Sequence, residues 1–422
     1  MRSSTILNGT IAQKEGVIPL SEAFRFIAIS VCVVLNMLDG FDVLVISLAG
    51  AGVSREWNLT SSQLGLLFSM GLCGMVIGSF FVAPIADRLG RRAVVLTCAL
   101  VVGIGMLLSG VASNYLLLAV FRLVTGVGIA GILACAVVLV SEYSTPQWRN
   151  TAIFVYTFGY SLGATLGGAI AAVLIQHSGW RAAFQLGGAA SLVMLPIAYR
   201  LLPESTIYLA SRKSERDDTT RPRGRRLYLH GLLNANSAKP TILLWAAFFF
   251  AMGGYYFVFN WTPKLLTVSG LSAQQGVNSG VLLSLGGMGG TILFAFVGRI
   301  AHVQKVAIAC LLASAVLMGV FALHATNPSL TSVTAVALGG ASTSALAGFY
   351  ALTPALYGAD VRSSGMGWAV GTGRIGAILA SLMAGGLVDH GWSPAELYCL
   401  FAGTFFLASV AILGIGSPPR NI

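Results

Sequence analysis

Four charged side chains lie inside long apolar stretches of the sequence, namely Asp39, Asp42, Arg122 and Arg374. Each such charge at the centre of a membrane helix costs about 2.5–3.5 kcal/mol on insertion scales, so these residues usually face a cavity and have a function. A carboxyl group can carry a proton, and an arginine binds a carboxylate through two parallel hydrogen bonds. The four residues therefore indicate proton and carboxylate chemistry. A buried ion pair that only fixes helix packing is the alternative.

The two acids are spaced i and i+3, so they share one helical face about one turn apart. In a low dielectric both cannot ionise cheaply, and we expect one to bind a proton while an arginine keeps the other charged. At 1.5 Å per residue Asp42 lies ~12 Å deep, Asp39 ~16 Å and Arg122 ~10 Å from the same side. Asp42 and Arg122 are therefore predicted to be level. The five histidines all map to loops or ends of apolar stretches.

Arg374 lies ~15 Å into its own stretch, and no acid in the second half of the chain reaches that depth. A permanent cation there is most simply neutralised by the carboxylate of an anionic ligand, although snorkelling or bonds to backbone carbonyls would also satisfy it. Aromatic and polar residues at similar depth complete the candidate pocket: Tyr255, Tyr256, Asn260, Tyr156, Tyr160, Tyr350 and Trp368. Packing and the interfacial belt are the alternative roles for the aromatic residues.

The composition indicates which elements position these residues. Of the 422 residues 56% are apolar and only 9% are charged, against about 25% charged in soluble domains, and the mean hydropathy is +0.82. This excludes a soluble globular protein. Since a bilayer core needs ~20 apolar residues per helix, we predict twelve spans: 25–50, 62–84, 94–112, 115–141, 152–176, 181–202, 241–262, 276–298, 304–323, 330–356, 364–387 and 394–415.

The first predicted span has no small-residue cleavage site and is followed by eleven more, so it is a membrane span rather than a signal peptide. A charged segment at 203–240 separates two bundles, 25–202 and 241–415, between tails 1–24 and 416–422. The halves resemble each other, since His177-Ser-Gly-Trp180 and His390-Gly-Trp392 follow equivalent spans. We therefore predict an all-α integral membrane protein with two pseudo-symmetric six-helix bundles and a substrate site between them near the midplane.

The distribution of basic residues predicts how the helices are oriented in the membrane, because short cytoplasmic loops carry excess Lys and Arg. With the N-terminus inside, most of the 25 basic residues become cytoplasmic. Only Arg55, Arg181 and Lys264 fall outside. The net charge of +11 is then mainly an orientation signal, and we expect no nucleic-acid partner. We predict a bacterial-type inner-membrane protein with both termini in the cytoplasm.

Two other sequence patterns do not indicate a metal, disulfide or dinucleotide site. The six cysteines lie in apolar stretches without CxxC spacing, which favours packing over disulfides or metal binding. Gly126, Gly128 and Gly131 form GxGxxG, but a dinucleotide site needs a preceding strand, so close helix packing explains them better. We expect no metal and no cofactor other than a coupling proton.

The connection between the second and third spans reads Gly78-Ser-Phe-Phe-Val-Ala-Pro-Ile-Ala-Asp87-Arg88-Leu-Gly90-Arg91-Arg92. It closely resembles the cytoplasmic signature of the major facilitator superfamily. The resemblance implies gate roles for Asp87, Arg88, Arg91 and Arg92, and for Glu142, Arg149, Asp360 and Arg362 in equivalent loops. The second-half counterpart, Gly298-Arg299-Ile-Ala-His-Val-Gln-Lys305, lacks the acid.

A finer resemblance lies in Leu38-Asp39-Gly40-Phe41-Asp42, Phe121-Arg122-Leu-Val-Thr-Gly126 and Pro203-Glu204-Ser205-Thr-Ile-Tyr208-Leu209. Together these look like the aromatic acid:proton symporter branch, whose members import benzoate-type, hydroxylated and related organic acids. Sugar, sialate and nicotinate carriers share part of the pattern.

The residues and the resemblance lead to one hypothesis, a proton-coupled importer of an aromatic or related organic carboxylate. Asp39 and Asp42 would carry the proton, and Arg374 with Arg122 would bind the carboxylate. We expect a monomer in a lipid bilayer. An exporter of drugs or metabolites, and an importer of another acid such as nicotinate or sialate, remain alternatives. An intramembrane enzyme would need a nucleophile, base or metal cluster, and a sensor or channel would lack concentrative uptake.

Overall fold

The computed structural model describes residues 22–145, 147–206, 208–209, 238–324, 327–357 and 362–415. Twelve helices in this part of the chain are long and apolar enough to cross a membrane, which confirms the predicted number of spans. They are α1 (Glu22–Glu56), α2 (Ser61–Leu89), α3 (Arg91–Gly110), α4 (Tyr115–Tyr143), α5 (Arg149–Ser178), α6 (Trp180–Leu201), α7 (Ala238–Val268), α8 (Ala273–Ile300), α9 (Val303–Leu323), α10 (Pro328–Leu356), α11 (Arg362–Asp389) and α12 (Pro394–Gly414).

Polar caps fix where several helices begin. α2, α8 and α12 each start with a capping box, in which the cap hydroxyl accepts a hydrogen bond from the third backbone N–H and a Gln or Glu side chain accepts one from the cap N–H. Asn114 and Asn327 cap α4 and α10. These five starts lie at one end of the bundle, which we call the predicted periplasmic end. The other is the predicted cytoplasmic end.

Equivalent helices pack in the same way in the two halves. Within the first half α1 packs on α5, α2 on α4, α3 on α4 and α3 on α6; in the second half α7 packs on α11, α8 on α10, α9 on α10 and α9 on α12. Across the halves α2 packs on α11, α5 on α8 and α1 on α7. This arrangement confirms two pseudo-symmetric six-helix bundles and places α1, α2, α5, α7, α8 and α11 at their interface.

Glycines bring the packed helices close. A Cβ on Gly163 of α5 would overlap the carbonyl of Met37 on α1, and a Cβ on Gly376 of α11 would overlap the carbonyl of Phe249 on α7. The two contacts occupy equivalent places in the two halves. Gly126 approaches the backbone of α2 in the same way, so the GxGxxG of α4 serves close helix packing, as predicted.

The halves are held together at the predicted periplasmic end by a carboxylate on a helix N-terminus. Asp389, the last residue of α11, accepts hydrogen bonds from the backbone N–H groups of Ser61 (2.7 Å) and Ser62 (2.8 Å) in the first turn of α2. The partial positive charge and free N–H groups of a helix start favour an anion there. This contact therefore joins the two halves directly.

Further cross-half contacts lie deeper along the same interface. Ser47 donates to the carbonyls of Phe259 (2.6 Å) and Asn260 (3.0 Å), and the rings of Phe68 and Trp261 meet edge to face at 5.5 Å. These contacts all lie between the predicted periplasmic end and the middle of the bundle. The described conformation is thus closed at the predicted periplasmic end.

We predict that Asp389→Ala loosens this closure, because it removes the carboxylate that accepts both hydrogen bonds from the start of α2. Spin labels on the exposed residues Ser113 and Ser329, one on each half at that end, would report a new population at longer distance. Glu396→Ala is the matched control, since Glu396 caps its own helix within the second half. An unchanged distance distribution in Asp389→Ala would contradict the latch role.

Candidate functional site

Asp42 and Arg122 form a buried ion pair in the first half. Arg122 Nη1 lies 2.7 Å from Asp42 Oδ1, and the two residues are 3% and 5% exposed, respectively. Arg122 Nη2 also donates to Thr125 Oγ1 at 3.1 Å, and the guanidinium carbon lies 5.0 Å from the ring centroid of Phe184. The equal depths predicted from the sequence are confirmed, and the pair fixes α1 against α4.

Asp39, one turn before Asp42, has no such partner. The residue is 4% exposed, and neither carboxylate oxygen has a hydrogen-bond partner within the described residues. A buried carboxylate without hydrogen bonds or a counterion is far costlier than a neutral carboxylic acid. The geometry therefore gives the two acids different surroundings, with the arginine bound to Asp42 alone.

Two cavities lie beside these acids. The first, which we call the between-halves cavity, is lined by residues of α1, α2 and α4 together with Tyr256 and Asn260 of α7: Asp42, Val43, Ile46, Leu67, Phe68, Gly71, Leu72, Met75, Arg122, Ile129, Tyr256 and Asn260. The second, the N-half cavity, lies among α1, α3, α4 and α6: Leu35, Leu38, Asp39, Ala99, Val102, Ile129, Ile132 and Ser191. Asp42 thus faces the interface, and Asp39 faces the inside of the first half.

Arg374 reaches from α11 across the interface to α2. Its Nη1 donates to Ser79 Oγ (2.6 Å) and to the carbonyl of Met75 (3.1 Å), and Met75 also lines the between-halves cavity. The side chain is partly exposed, and none of the ion pairs in the described part of the chain includes it. It lies within electrostatic range of Asp39, Tyr256 and Tyr350. The arginine is therefore anchored by neutral oxygens and has no ion-pair partner in the described part of the chain.

Most of the predicted aromatic residues gather near this arginine. Tyr160 lies near Tyr255, Tyr256 and Tyr350, and the Tyr255 ring stacks on Phe259 at 4.4 Å. Tyr350 is 41% exposed, so its surface is open to a ligand or to lipid.

Two other predicted residues have different surroundings. Trp368 stacks on Trp245 at 5.6 Å, on the part of α11 that precedes Arg374 toward the predicted cytoplasmic end. Asn36 donates to the carbonyl of Tyr156 at 2.7 Å, and the Tyr156 hydroxyl has no partner among the described residues.

The sequence did not indicate Ser79, which bonds to Arg374, or Ser47, which bonds to the backbone of α7. Serine is common in membrane helices, where its hydroxyl usually bonds to the carbonyl four residues earlier. Ser79 does bond to Met75 in this way, so nothing in the sequence distinguishes it from other helical serines. Its contact with Arg374 exists only because α2 packs on α11.

The predicted gate residues form a polar network within the first half at the predicted cytoplasmic end. Arg91 pairs with Glu142, and Ser205 Oγ donates to Glu142 Oε2 at 2.8 Å. The backbone N–H of Arg92 donates to Glu204 Oε1 at 3.0 Å. The Pro-Glu-Ser segment after α6 is thereby tied to α3 and α4.

Other gate predictions have fewer described contacts. Arg149 Nε donates to the carbonyl of Ser141 at 3.2 Å, and the carbonyl of Arg88 accepts from the Tyr208 hydroxyl at 3.0 Å. Asp360 and the side chains of Asp87 and Arg362 lie outside the described residues. Their gate roles stay predictions.

Comparison with known proteins agrees with this architecture. The family model described as Major Facilitator Superfamily matches residues 30–305, which is more than half of the chain. The chain belongs to the major facilitator superfamily. Together with twelve apolar helices, this identifies a multi-pass membrane protein of a transporter superfamily.

Curated relatives within the superfamily match most of the chain. A gallate transporter of Pseudomonas putida is 29% identical and covers 93% of this chain and 92% of its own length. A 3-(3-hydroxy-phenyl)propionate transporter of Escherichia coli (strain K12) is 27% identical, with 93% and 95% covered. A 4-hydroxybenzoate transporter of Acinetobacter baylyi is 28% identical, with 93% and 91% covered. These bacterial relatives agree with an inner-membrane location.

Solved structures with the same fold include a proton-coupled sugar carrier. The partially occluded inward-open conformation of the xylose transporter XylE from E. coli superposes with a TM-score of 0.76 at 15% identity, over 95% of this chain and 99% of that chain. At this identity the similarity concerns the fold alone.

We predict that Asp42→Asn lowers the thermal stability of this superfamily member strongly, because it leaves Arg122 buried without a counterion. Breaking a buried pair from one side costs about 3–5 kcal/mol. The double variant Asp42→Asn/Arg122→Gln should recover part of the loss, which thermal unfolding of purified protein in detergent would measure. Equal stability of wild type and Asp42→Asn would show that the pair does not hold α1 to α4.

Proposed function

We propose that this protein imports an aromatic carboxylate together with protons across the bacterial inner membrane. Several relatives bear the names of transporters of gallate, 4-hydroxybenzoate and benzoate, and they match along nearly the whole chain. The orientation with both termini in the cytoplasm follows from the distribution of basic residues. The carried acid is taken up from the predicted periplasmic end.

The observation that carries the proposal is Arg374 beside the between-halves cavity. Its guanidinium is anchored by Ser79 Oγ and the Met75 carbonyl, both neutral, so a substrate carboxylate supplies the missing negative charge. Charge-assisted, bidentate contacts of this kind are the strong ones. In the described conformation the cavity has room for only a few water molecules, so the acid binds when the halves move apart. Its walls include Leu67, Phe68 and Leu72, and ligand sites combine apolar walls with a few convergent polar groups.

Proton coupling is assigned to Asp39. Its carboxyl group is buried and has no hydrogen-bond partner among the described residues, while Asp42 binds the nearby Arg122. A carboxyl group in such surroundings binds a proton readily and releases it when water reaches it. The charge of Arg374 also acts on Asp39, so substrate binding at Arg374 and proton binding at Asp39 influence each other.

Alternating access moves the two halves about the filled site. Closure at the predicted periplasmic end, with Asp389 on the start of α2, excludes an outward-open state in the proposed orientation. Opening to the periplasm requires that contact to break. Both halves come from one chain, so a monomer contains a complete site, and the cycle uses no cofactor besides the proton.

Uptake by proteoliposomes with an imposed pH gradient tests the function. A panel of benzoate, 4-hydroxybenzoate, gallate and nicotinate separates aromatic acids that carry hydroxyl groups from those that do not. We expect accumulation of at least one of the acids, abolished by a protonophore. Accumulation that persists after the protonophore, or no uptake of any acid, contradicts the proposal. Transport of the acid out of the proteoliposomes under the same pH gradient would identify an exporter.

We predict that Arg374→Gln weakens binding of the transported acid about 10- to 100-fold, since a charged hydrogen bond contributes about 1.5–3 kcal/mol. Arg374→Lys keeps the charge without the bidentate geometry and should give an intermediate affinity. Ser79→Ala is the matched control, because it removes only a hydrogen bond to the arginine. Calorimetric titration measures the three affinities, and wild-type affinity in Arg374→Gln would exclude the anchor role.

We also predict that Asp39→Asn abolishes accumulation driven by the pH gradient and keeps exchange of internal for external substrate, because the amide binds no proton but preserves the shape of the side chain. Radiolabelled counterflow beside gradient-driven uptake separates the two activities. If Asp39→Asn accumulates substrate as the wild type does, the proton is carried elsewhere.

A further inference from the structure

The two acids of α1 open into different cavities, although they are only one turn apart. Asp42 lines the between-halves cavity, and Asp39 lines the N-half cavity. Among the described residues one side chain lines both cavities, that of Ile129 on α4. Ile129 is 2% exposed. It lies seven residues after Arg122, hence two turns along the same face of α4.

We propose that Ile129 is a partition that couples proton movement to substrate movement. It separates the carboxyl group of Asp39 from the substrate cavity, so that the proton on Asp39 cannot escape there before the halves move. This inference rests on the proposed function, because it takes Asp39 as the proton site and the between-halves cavity as the substrate site.

The physical reason is that protons travel only along hydrogen-bonded groups and water molecules. An isoleucine side chain has neither a donor nor an acceptor, and the remaining walls of the N-half cavity are apolar apart from Asp39 and Ser191. On the other side of Ile129, Asp42 and Arg122 line the between-halves cavity. Polar groups are thus present on both sides, and the isoleucine interrupts the path between them.

Shortening this side chain should complete the path. Isoleucine to alanine removes three carbon atoms, roughly the room of two water molecules at ~30 Å³ each, and a buried water needs two to four polar partners. Arg122 Nε, which has no partner among the described residues, and the oxygens of Asp39 supply such partners. Water in the new space would connect Asp39 to the substrate cavity.

The experiment compares proton and substrate fluxes of wild type and Ile129→Ala in proteoliposomes that contain a pH-sensitive dye. Without substrate, Ile129→Ala should leak protons at least about tenfold faster than the wild type. With substrate, it should move more protons per acid and accumulate less acid than the wild type. Ile129→Leu should restore tight coupling, because it replaces the lost carbon atoms.

Ile132→Ala is the matched control. Ile132 lies on the same helix, is 5% exposed and lines only the N-half cavity, so its loss enlarges that cavity without joining the two. We expect its proton leak to equal that of the wild type. The double variant Asp39→Asn/Ile129→Ala should not leak, because the carboxyl group that carries the proton is gone.

The partition role is wrong if Ile129→Ala leaks no more protons than the wild type and stays fully coupled. It is also wrong if Ile132→Ala leaks protons as fast as Ile129→Ala, or if the double variant Asp39→Asn/Ile129→Ala still leaks. Should Ile129→Ala fail to fold, Ile129→Thr keeps a branched side chain and places a hydroxyl group in the path, so it should leak through Asp39 in the same way. Loss of the proposed function is recognised separately, since the wild type would then show no substrate-driven proton flux.

Discussion

The ion pair between Asp42 and Arg122 is the constraint on which the proposed chemistry depends. One buried arginine lies beside two acids of the same helix face, and it binds Asp42 at 2.7 Å. Asp39 is left buried without hydrogen bonds in the described structure. Because an ionised carboxylate in such a place is costly, the proposed role of Asp39 as proton carrier follows from the pairing of its neighbour.

The second arginine acts across the interface. Arg374 of α11 bonds to Ser79 and Met75 of α2, and the same two helices are joined at the predicted periplasmic end by Asp389 and Ser61. The helix pair that positions the proposed anchor for the carboxylate therefore also carries the closure at the predicted periplasmic end. A substrate that neutralises Arg374 changes the charge within the interface that has to move.

The sequence predicted the twelve membrane helices and the depths of the buried charged residues well, because both depend on strong local signals. Apolar length set the twelve spans, although α1 runs from Glu22 to Glu56 where 25–50 was predicted, since helices continue into the polar region beyond the hydrocarbon. Depth arithmetic placed Asp42 level with Arg122. The features that the sequence could not predict are contacts that depend on how neighbouring helices pack.

The separation of Asp39 from Asp42 is the main example. Spacing places both on one helix face, but they line different cavities, and both cavities are also lined by Ile129 of α4, an apolar residue that no motif distinguishes. In the same way, the bond between Ser79 and Arg374 requires the packing of α2 on α11. Gate roles for Asp87, Asp360 and Arg362 stay predictions from resemblance.

The most direct test of the account is the number of protons taken up when the acid binds. Calorimetric titration of the purified protein in buffers with different ionisation enthalpies measures this number. At a pH at which Asp39 is ionised in the free protein, we predict uptake of about one proton per bound acid in the wild type, because the acid neutralises Arg374, and none in Asp39→Asn. The same proton uptake in both proteins would contradict the assignment of Asp39 as the proton carrier.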